Sequence, residues 1–376
     1  MQFNLKLTEK GAIYVTSQQP VDIHGKPYNR SLLVGVLLIG TFCTILNQTL
    51  LTTALPTLMK EFDISASSVQ WLTTGFLLVN GIMIPISAWL INKFSSKKLY
   101  ITAMSTFLIG TIICFVAQDF GMLLTGRLVQ AAGVGVSMPL LQTIMLSIFP
   151  PEKRGAAMGT TGIVIGLAPA LGPTLSGWII DSYTWRDLFG MVIPIVVLVL
   201  ILASFLMKNV IQLSNPSIDV LSVILSTLGF GSLLYGFSSV GDKGWGSPQV
   251  YGFLIVGAIV LCLFTYRQLH LEQPFLELRV FKSKVFTVAA ILSGVTNMAM
   301  IGAEMVLPLY IQNIRGESAF HSGLMLLPGA LVMGLMMPVT GRIFDKIGAR
   351  RLAITGMFIL TAATLPFAFL TKATPD

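Results

Sequence analysis

Two charged residues stand inside long apolar runs, and each could do chemistry there. Glu304 lies in NMAMIGAEMVLPLY and is the only acidic residue well inside a run long enough to cross a membrane. A charge in that setting costs at least about 2.5–3.5 kcal/mol. A carboxylate removed from water can relieve the cost by taking up a proton, so it can bind and release one, and it also attracts cationic solutes. The plainer reading is an interfacial carboxylate, because Glu304 falls in the outer third of its run. Arg127 lies in GRLVQAAGVG, either as a functional cation or as an arginine whose stem reaches to the membrane boundary. Asn47 and Gln48 are adjacent in the first apolar run. They can hydrogen-bond a substrate or join one helix to another, and neither titrates.

Other chemistries lack their residues. There is no G-x4-G-K-[ST] loop, which removes ATP as the direct drive. The three histidines, His24, His270 and His321, are scattered, and the three cysteines, Cys43, Cys114 and Cys262, lie far apart in apolar runs. That pattern suits neither a disulfide framework nor a metal site. No enzymatic constellation appears, and no cofactor is expected. The net charge of +8 does not require nucleic acid, since membrane proteins gather Lys and Arg on cytoplasmic loops.

The elements that must position these residues are transmembrane helices. The chain is 54% hydrophobic and 11% charged, against roughly 25% charged in soluble domains. About 20 apolar residues make a span. On that basis eleven spans are expected at roughly 31–55, 70–91, 99–117, 121–147, 157–180, 188–207, 218–240, 249–267, 285–310, 321–341 and 350–370. The expected class is an all-α polytopic membrane protein with the lipid bilayer as its solvent. Eighteen of the 24 basic residues then fall on one side and five on the other, with Arg127 left inside a span. The basic side is cytoplasmic by the positive-inside rule, so the N-terminus is expected inside. The first 30 residues hold no apolar run, and no cleavable signal peptide is expected.

One stretch, TTGIVIGLAPALGPTLSGW at 160–178, combines membrane hydropathy with glycines 162, 166, 172 and 177 and prolines 169 and 173. Gly162 and Gly166 share a helix face and admit another backbone. Pro169 and Pro173 each remove a donor, so the helix should be kinked or pliable. A loop pattern also repeats. Ser87-AWLINKFSSKKL follows span 2 and Thr340-GRIFDKIGARRL follows span 10, placing Asn92-Lys93 and Asp345-Lys346 at the same offset. Two related halves, the usual build of secondary transporters, would give such a repeat.

These motifs resemble the major facilitator superfamily. Gly166 to Gly177 resembles its antiporter motif C, with Gly162, Pro169, Gly172 and Pro173 in the same run. GRLVQAAGVG resembles motif B, and the repeated loops resemble motif A. The second copy is nearly complete at Gly341, Asp345, Lys346, Gly348 and Arg350; the first departs from it with Ala88, Asn92 and Ser95. The second copy falls after span 10 instead of span 8, which implies two extra spans between the halves and resembles the fourteen-span drug:proton antiporters. LNQTLLTTALP at 46–56 and ESAFHSGLMLLPG at 317–329 are similar to that branch as well. The resemblance implies a major facilitator-type bundle with about 11 helices here, three fewer than the family's.

The resemblance also implies roles. Arg127 would help move the proton or stabilise a carboxylate's charged form. Asn47 stands where the family usually has Asp, which shifts proton coupling to Glu304. Asp345 would cap a neighbouring helix or bind Arg342 or Arg350 to hold a cytoplasmic gate; the alternative is ordinary loop charge. The expected organisation is a tail at 1–30, a six-helix bundle at 31–208, two linker helices at 209–284 and a partial C-terminal bundle at 285–376. The expected function is proton-driven efflux of amphipathic drugs or toxic compounds, cationic ones among them, by alternating access. Its partners would be a small-molecule substrate and protons, with no nucleic acid. A truncated, non-transporting remnant and an exporter of one metabolite are the alternatives.

Overall fold

A computed structural model describes residues 6–7, 13–14, 20–51, 53–150, 153–214, 219–272, 274 and 276–365. Among these residues the fold is helical apart from a two-residue pairing of Lys6–Leu7 with Ile13–Tyr14 and an isolated bridge between Val21 and Pro27. The helices are α1 (Arg30–Leu50), α2 (Leu55–Phe62), α3 (Ala66–Lys93), α4 (Ser96–Phe115), α5 (Phe120–Ile148), α6 (Arg154–Ser182), α7 (Asp187–Gly190), α8 (Val192–Leu206), α9 (Val220–Lys243), α10 (Pro248–His270), α11 (Lys284–Leu309) and α12 (Ala319–Thr364).

Short polar residues set where the long helices begin. Asn29, Ser65, Asp119, Asp219, Ser283 and Ser318 are each an N-cap whose side chain accepts from a backbone N–H in the first turn. Each cap supplies an acceptor to a donor that has no partner within the helix. The expected first span, 31–55, divides: α1 stops at Leu50, and the short α2 follows with Pro56 in its first turn and ends at Asp63 with φ +50°. The expected loop between spans 10 and 11 contracts to one non-helical residue, Gly348, at φ +79° and ψ 166° inside α12. Glycine takes that conformation without a Cβ clash.

Ten helices among the described residues are long and apolar enough to cross a membrane. The eleventh expected span, 350–370, is helical through Thr364, and its remainder lies outside the described residues. Packing is uneven along the chain. The main buried apolar cluster runs from Leu33 to Ile211. Within it α3 and α4 both pack on α5, and α1 packs on α6 and α8. Farther on, α9 and α10 form a pair in which Gly229, Gly236 and Gly257 receive Leu261, Leu254 and Leu233. Asp219 and Arg267 join the ends of that pair through two hydrogen bonds of 3.0 and 2.9 Å.

Candidate coupling site and helix seam

Arg127 is 1% exposed, so it is not an arginine reaching to the boundary. Its Nη1 donates to Asn47 Oδ1 at 2.9 Å and to Gln130 Oε1 at 2.8 Å, and its Nε lies 3.5 Å from the Leu72 carbonyl. The guanidinium carbon sits 4.2 Å from the Phe76 ring centroid, a cation–π contact. Gln130 in turn donates to Thr111 Oγ1 at 2.8 Å, and Thr111 donates to the Phe107 carbonyl at 2.7 Å. The network therefore joins α1, α3, α4 and α5. Glycines make it reachable. A Cβ at Gly110 would fall 2.5 Å from the Gln130 nitrogen, and one at Gly133 would fall 2.4 Å from the Ala103 carbonyl, so α4 and α5 meet backbone to backbone. Among the described residues no carboxylate contacts Arg127. Amide oxygens, a carbonyl and a ring face hold the cation instead.

Asn47, the next member of that network, is 1% exposed. It faces Arg127 and joins α1 to α5, whereas its neighbour Gln48 is half-buried. Glu304 is also half-buried, on α11, and it has no hydrogen bond or ion pair among the described residues. Arg127 and Glu304 are thus not brought into contact; the polar partners of Arg127 lie on α1, α3 and α5.

The glycine-rich stretch forms α6, which runs unbroken from Arg154 to Ser182 across Pro169 and Pro173. Its glycines serve two faces. A Cβ at Gly166 would lie 2.9 Å from the Gly334 Cα, and one at Gly162 would lie 2.9 Å from Met337 Sδ, both on α12. A Cβ at Gly172 would instead lie 2.1 Å from Thr49 Oγ1 on α1. Gly177 and both prolines are buried. Nearer its Ser182 end α6 is tied to α12. Gly323 approaches the Pro173 carbonyl, Thr174 Oγ1 donates to the Gly323 carbonyl at 2.9 Å, and the Phe320 N–H donates to Asp181 Oδ2 at 3.0 Å. Gln312 Nε2 reaches the Thr53 carbonyl at 3.4 Å in the same region. At the other end of α6, Gly155 and Gly159 face open space.

Residues 37–375 match the Major Facilitator Superfamily. The chain belongs to that superfamily. It is 56% identical over 352 residues to the MFS-type transporter YcnB of Bacillus subtilis, covering 94% of this chain and 75% of that one. It is 44% identical over 340 residues to the lincomycin resistance protein LmrB of Listeria monocytogenes, covering 90% and 72%. It is 31% identical over 328 residues to the multidrug export protein EmrB of Escherichia coli, covering 87% and 64%. Among solved structures, a POT-family transporter superposes with a TM-score of 0.63 at 17% identity over 88% of this chain and 73% of that one. The xylose transporter XylE of E. coli superposes at 0.56 and 13% identity, covering 85% and 74%. These two share the fold. As a major facilitator protein the chain is a multi-pass membrane transporter and not an enzyme.

The two facilitator-type loops stand differently. In the first, Asn92 Nδ2 donates to the Ala88 carbonyl at 2.9 Å, and the Asn92 carbonyl accepts from the Ser214 N–H at 3.1 Å. Lys93 lies 5.8 Å from the Trp89 ring centroid. Asn209 accepts from the Lys97 N–H at 3.3 Å, and Lys97 Nζ donates to the Ser204 carbonyl. The segment after α8 therefore closes over this loop. In the second, the side chains of Arg342, Asp345 and Lys346, and the surroundings of Gly341, lie outside the described residues; Arg350 is exposed. Sequence reasoning left out Gln130, Phe76, Gly323 and Gly334. Gln130 follows Arg127 by three positions and shares its helix face, and Gly323 and Gly334 are three turns apart on one face, so those signals were present. Phe76 carried none.

Proposed function

We propose that this transporter exports amphipathic compounds, cationic ones among them, in exchange for protons. The observation that carries the reading is Glu304, a half-buried carboxylate with no polar partner among the described residues, on a helix whose one other charged residue is Lys284 at its start. Such a group can hold a proton or receive a cation, and the two occupants compete, which is the elementary requirement of antiport. Similarity to proteins named for lincomycin resistance and multidrug export supports the same reading. The basic-residue asymmetry supports a cytoplasmic N-terminus in the cell membrane. In that orientation the Asp181–Phe320 and Thr174–Gly323 contacts close the outer ends of α6 and α12. Residues 31–208 and 285–376 then act as the moving bodies, with 209–284 as the intervening pair and Asn92, Lys93, Arg342, Asp345, Lys346 and Arg350 at the inner gate. The backbone contact of Gly166 with Gly334 lets α6 move against α12 with few side chains to disengage, Met337 beside Gly162 and Leu167 beside Gly334 among them.

The test is transport by the purified full chain in proteoliposomes under an imposed pH gradient, with lincomycin and ethidium as probes. Wild type should accumulate at least one probe, and collapsing the gradient should stop it. Glu304→Gln should still bind the probe but no longer concentrate it. Equal pumping by that variant removes Glu304 as the coupling group. Gly166→Val should reduce transport at least about tenfold, because it places a branched side chain against the Gly334 backbone.

A further inference from the structure

We propose that the groove between α3 and α4 is a binding site for one anionic phospholipid. These two helices each pack on α5 but scarcely touch each other. Between them a cavity of about 370 Å³ opens, floored by Ala132, Gly133 and Val136 of α5. The floor is low because its residues are small. The walls, from Met83 and Leu90 on α3 to Leu99 and Ala103 on α4, are apolar. The Thr106 hydroxyl, which also lines it, donates to the Thr102 carbonyl and so offers no free proton.

One end of the groove is charged. Lys98 lines it beside Phe94, where α3 ends and α4 begins. Lys97 nearby donates to the Ser204 carbonyl, and Lys93 lies over Trp89. Lys98 is exposed and has no such contact among the described residues. From Lys98 to Thr106 the groove follows eight helical residues, and from Phe94 to Met83 eleven, or about 12–16 Å at 1.5 Å per residue. The hydrocarbon core of a bilayer is about 30 Å thick, so this length matches one leaflet. An acyl chain fits the apolar part while a phosphate reaches Lys98, and basic pockets between transmembrane helices bind anionic headgroups in this way. A cationic amphiphile would meet the wrong charge at the mouth.

The experiment uses the full chain in vesicles of 1:1 phosphatidylglycerol and phosphatidylcholine, with a trace of either lipid carrying a photoreactive diazirine midway along its acyl chain. Cross-linked peptides are identified by mass spectrometry. The phosphatidylglycerol probe should label the peptides bearing Met83 and Thr106 about fivefold more than the phosphatidylcholine probe. Lys98→Gln should abolish that preference, and Lys98→Arg should keep it. Ala132→Leu, which fills the floor, should remove groove labelling by both probes. Equal labelling by the two lipids in wild type, an unchanged preference in Lys98→Gln, or displacement of the label by ethidium would overturn the proposal. None of these readouts depends on whether the protein pumps protons.

Discussion

Arg127 and Glu304 are both charges within membrane-spanning helices, and the protein treats them in opposite ways. Arg127 is enclosed by four helices and engages Asn47, Gln130, the Leu72 carbonyl and the Phe76 ring. Glu304 stands on α11, which packs chiefly on α12 and its own flanking turns, and no polar group contacts it among the described residues. A charge buried against two amide oxygens, a carbonyl and a ring face is positioned to hold an arrangement together. A charge whose acceptors are open is positioned to exchange what it holds. On the proposed function, structural work falls to the arginine and transactions to the carboxylate.

Removing the arginine should give the largest effect. Arg127→Ala deprives Asn47 and Gln130 of their shared donor and leaves a large void, at a cost of about 3–5 kcal/mol. The expected outcome is loss of a monodisperse peak on size-exclusion chromatography, with Arg127→Lys retaining part of it. An arginine variant that stays folded and loses only transport would break the contrast. Asn47→Asp sharpens it by giving Arg127 a carboxylate where it now has an amide at 2.9 Å. A charge-assisted bond adds about 1 kcal/mol over a neutral one, so thermal unfolding should shift upward by about 2–4 °C. A downward shift would mean that the network rejects a second charge. Glu304→Gln should leave the unfolding temperature within about 1 °C of wild type, since no bond is lost, while transport fails as stated above.

A modest effect on stability alone lies outside both sites. Asp219, at the start of α9, is held below its ordinary value of 3.8, first by its hydrogen bond from Arg267. A lowered carboxylate contributes stability that is complete above the ordinary value and fades as the pH falls through the lowered one. Asp219→Asn should therefore lower the unfolding temperature by about 1–2 °C at pH 7. The gap should narrow once the pH falls below 3.8 and close below the lowered value. A gap that persists in acid would attribute the effect to capping of α9 and not to the ion pair.

Helix placement was legible because hydropathy acts locally, but against eleven expected spans there are ten candidates among the described residues: the first divides at Leu50, and the tenth and eleventh join through Gly348. Gly348 was readable as part of a loop motif, but its confinement of that loop to one residue was not, since the length of a turn depends on what the adjoining helices pack against. For the candidate site, Arg127 and Glu304 announced themselves by charge in apolar runs. Their environments did not. That Asn47 meets Arg127 across 80 positions, or that Phe76 lies under the guanidinium, follows from how α1, α3 and α5 rotate against one another. Spacing along one helix cannot specify that rotation. The division of the α6 glycines between α1 and α12 was hidden for the same reason.

Where Gly166 meets Gly334, two main chains touch with no side chain between them. Glycine is the smallest residue, so every replacement at either position adds atoms, and inheritance can damage this joint but has nothing with which to refine it. Adaptation to a new substrate must therefore begin elsewhere. Met337, whose pliable thioether rests against Gly162, is a natural starting place, because methionine reshapes itself around a changed neighbour. A lineage under selection for a new substrate would then accumulate its variation beside the seam and leave the seam itself untouched.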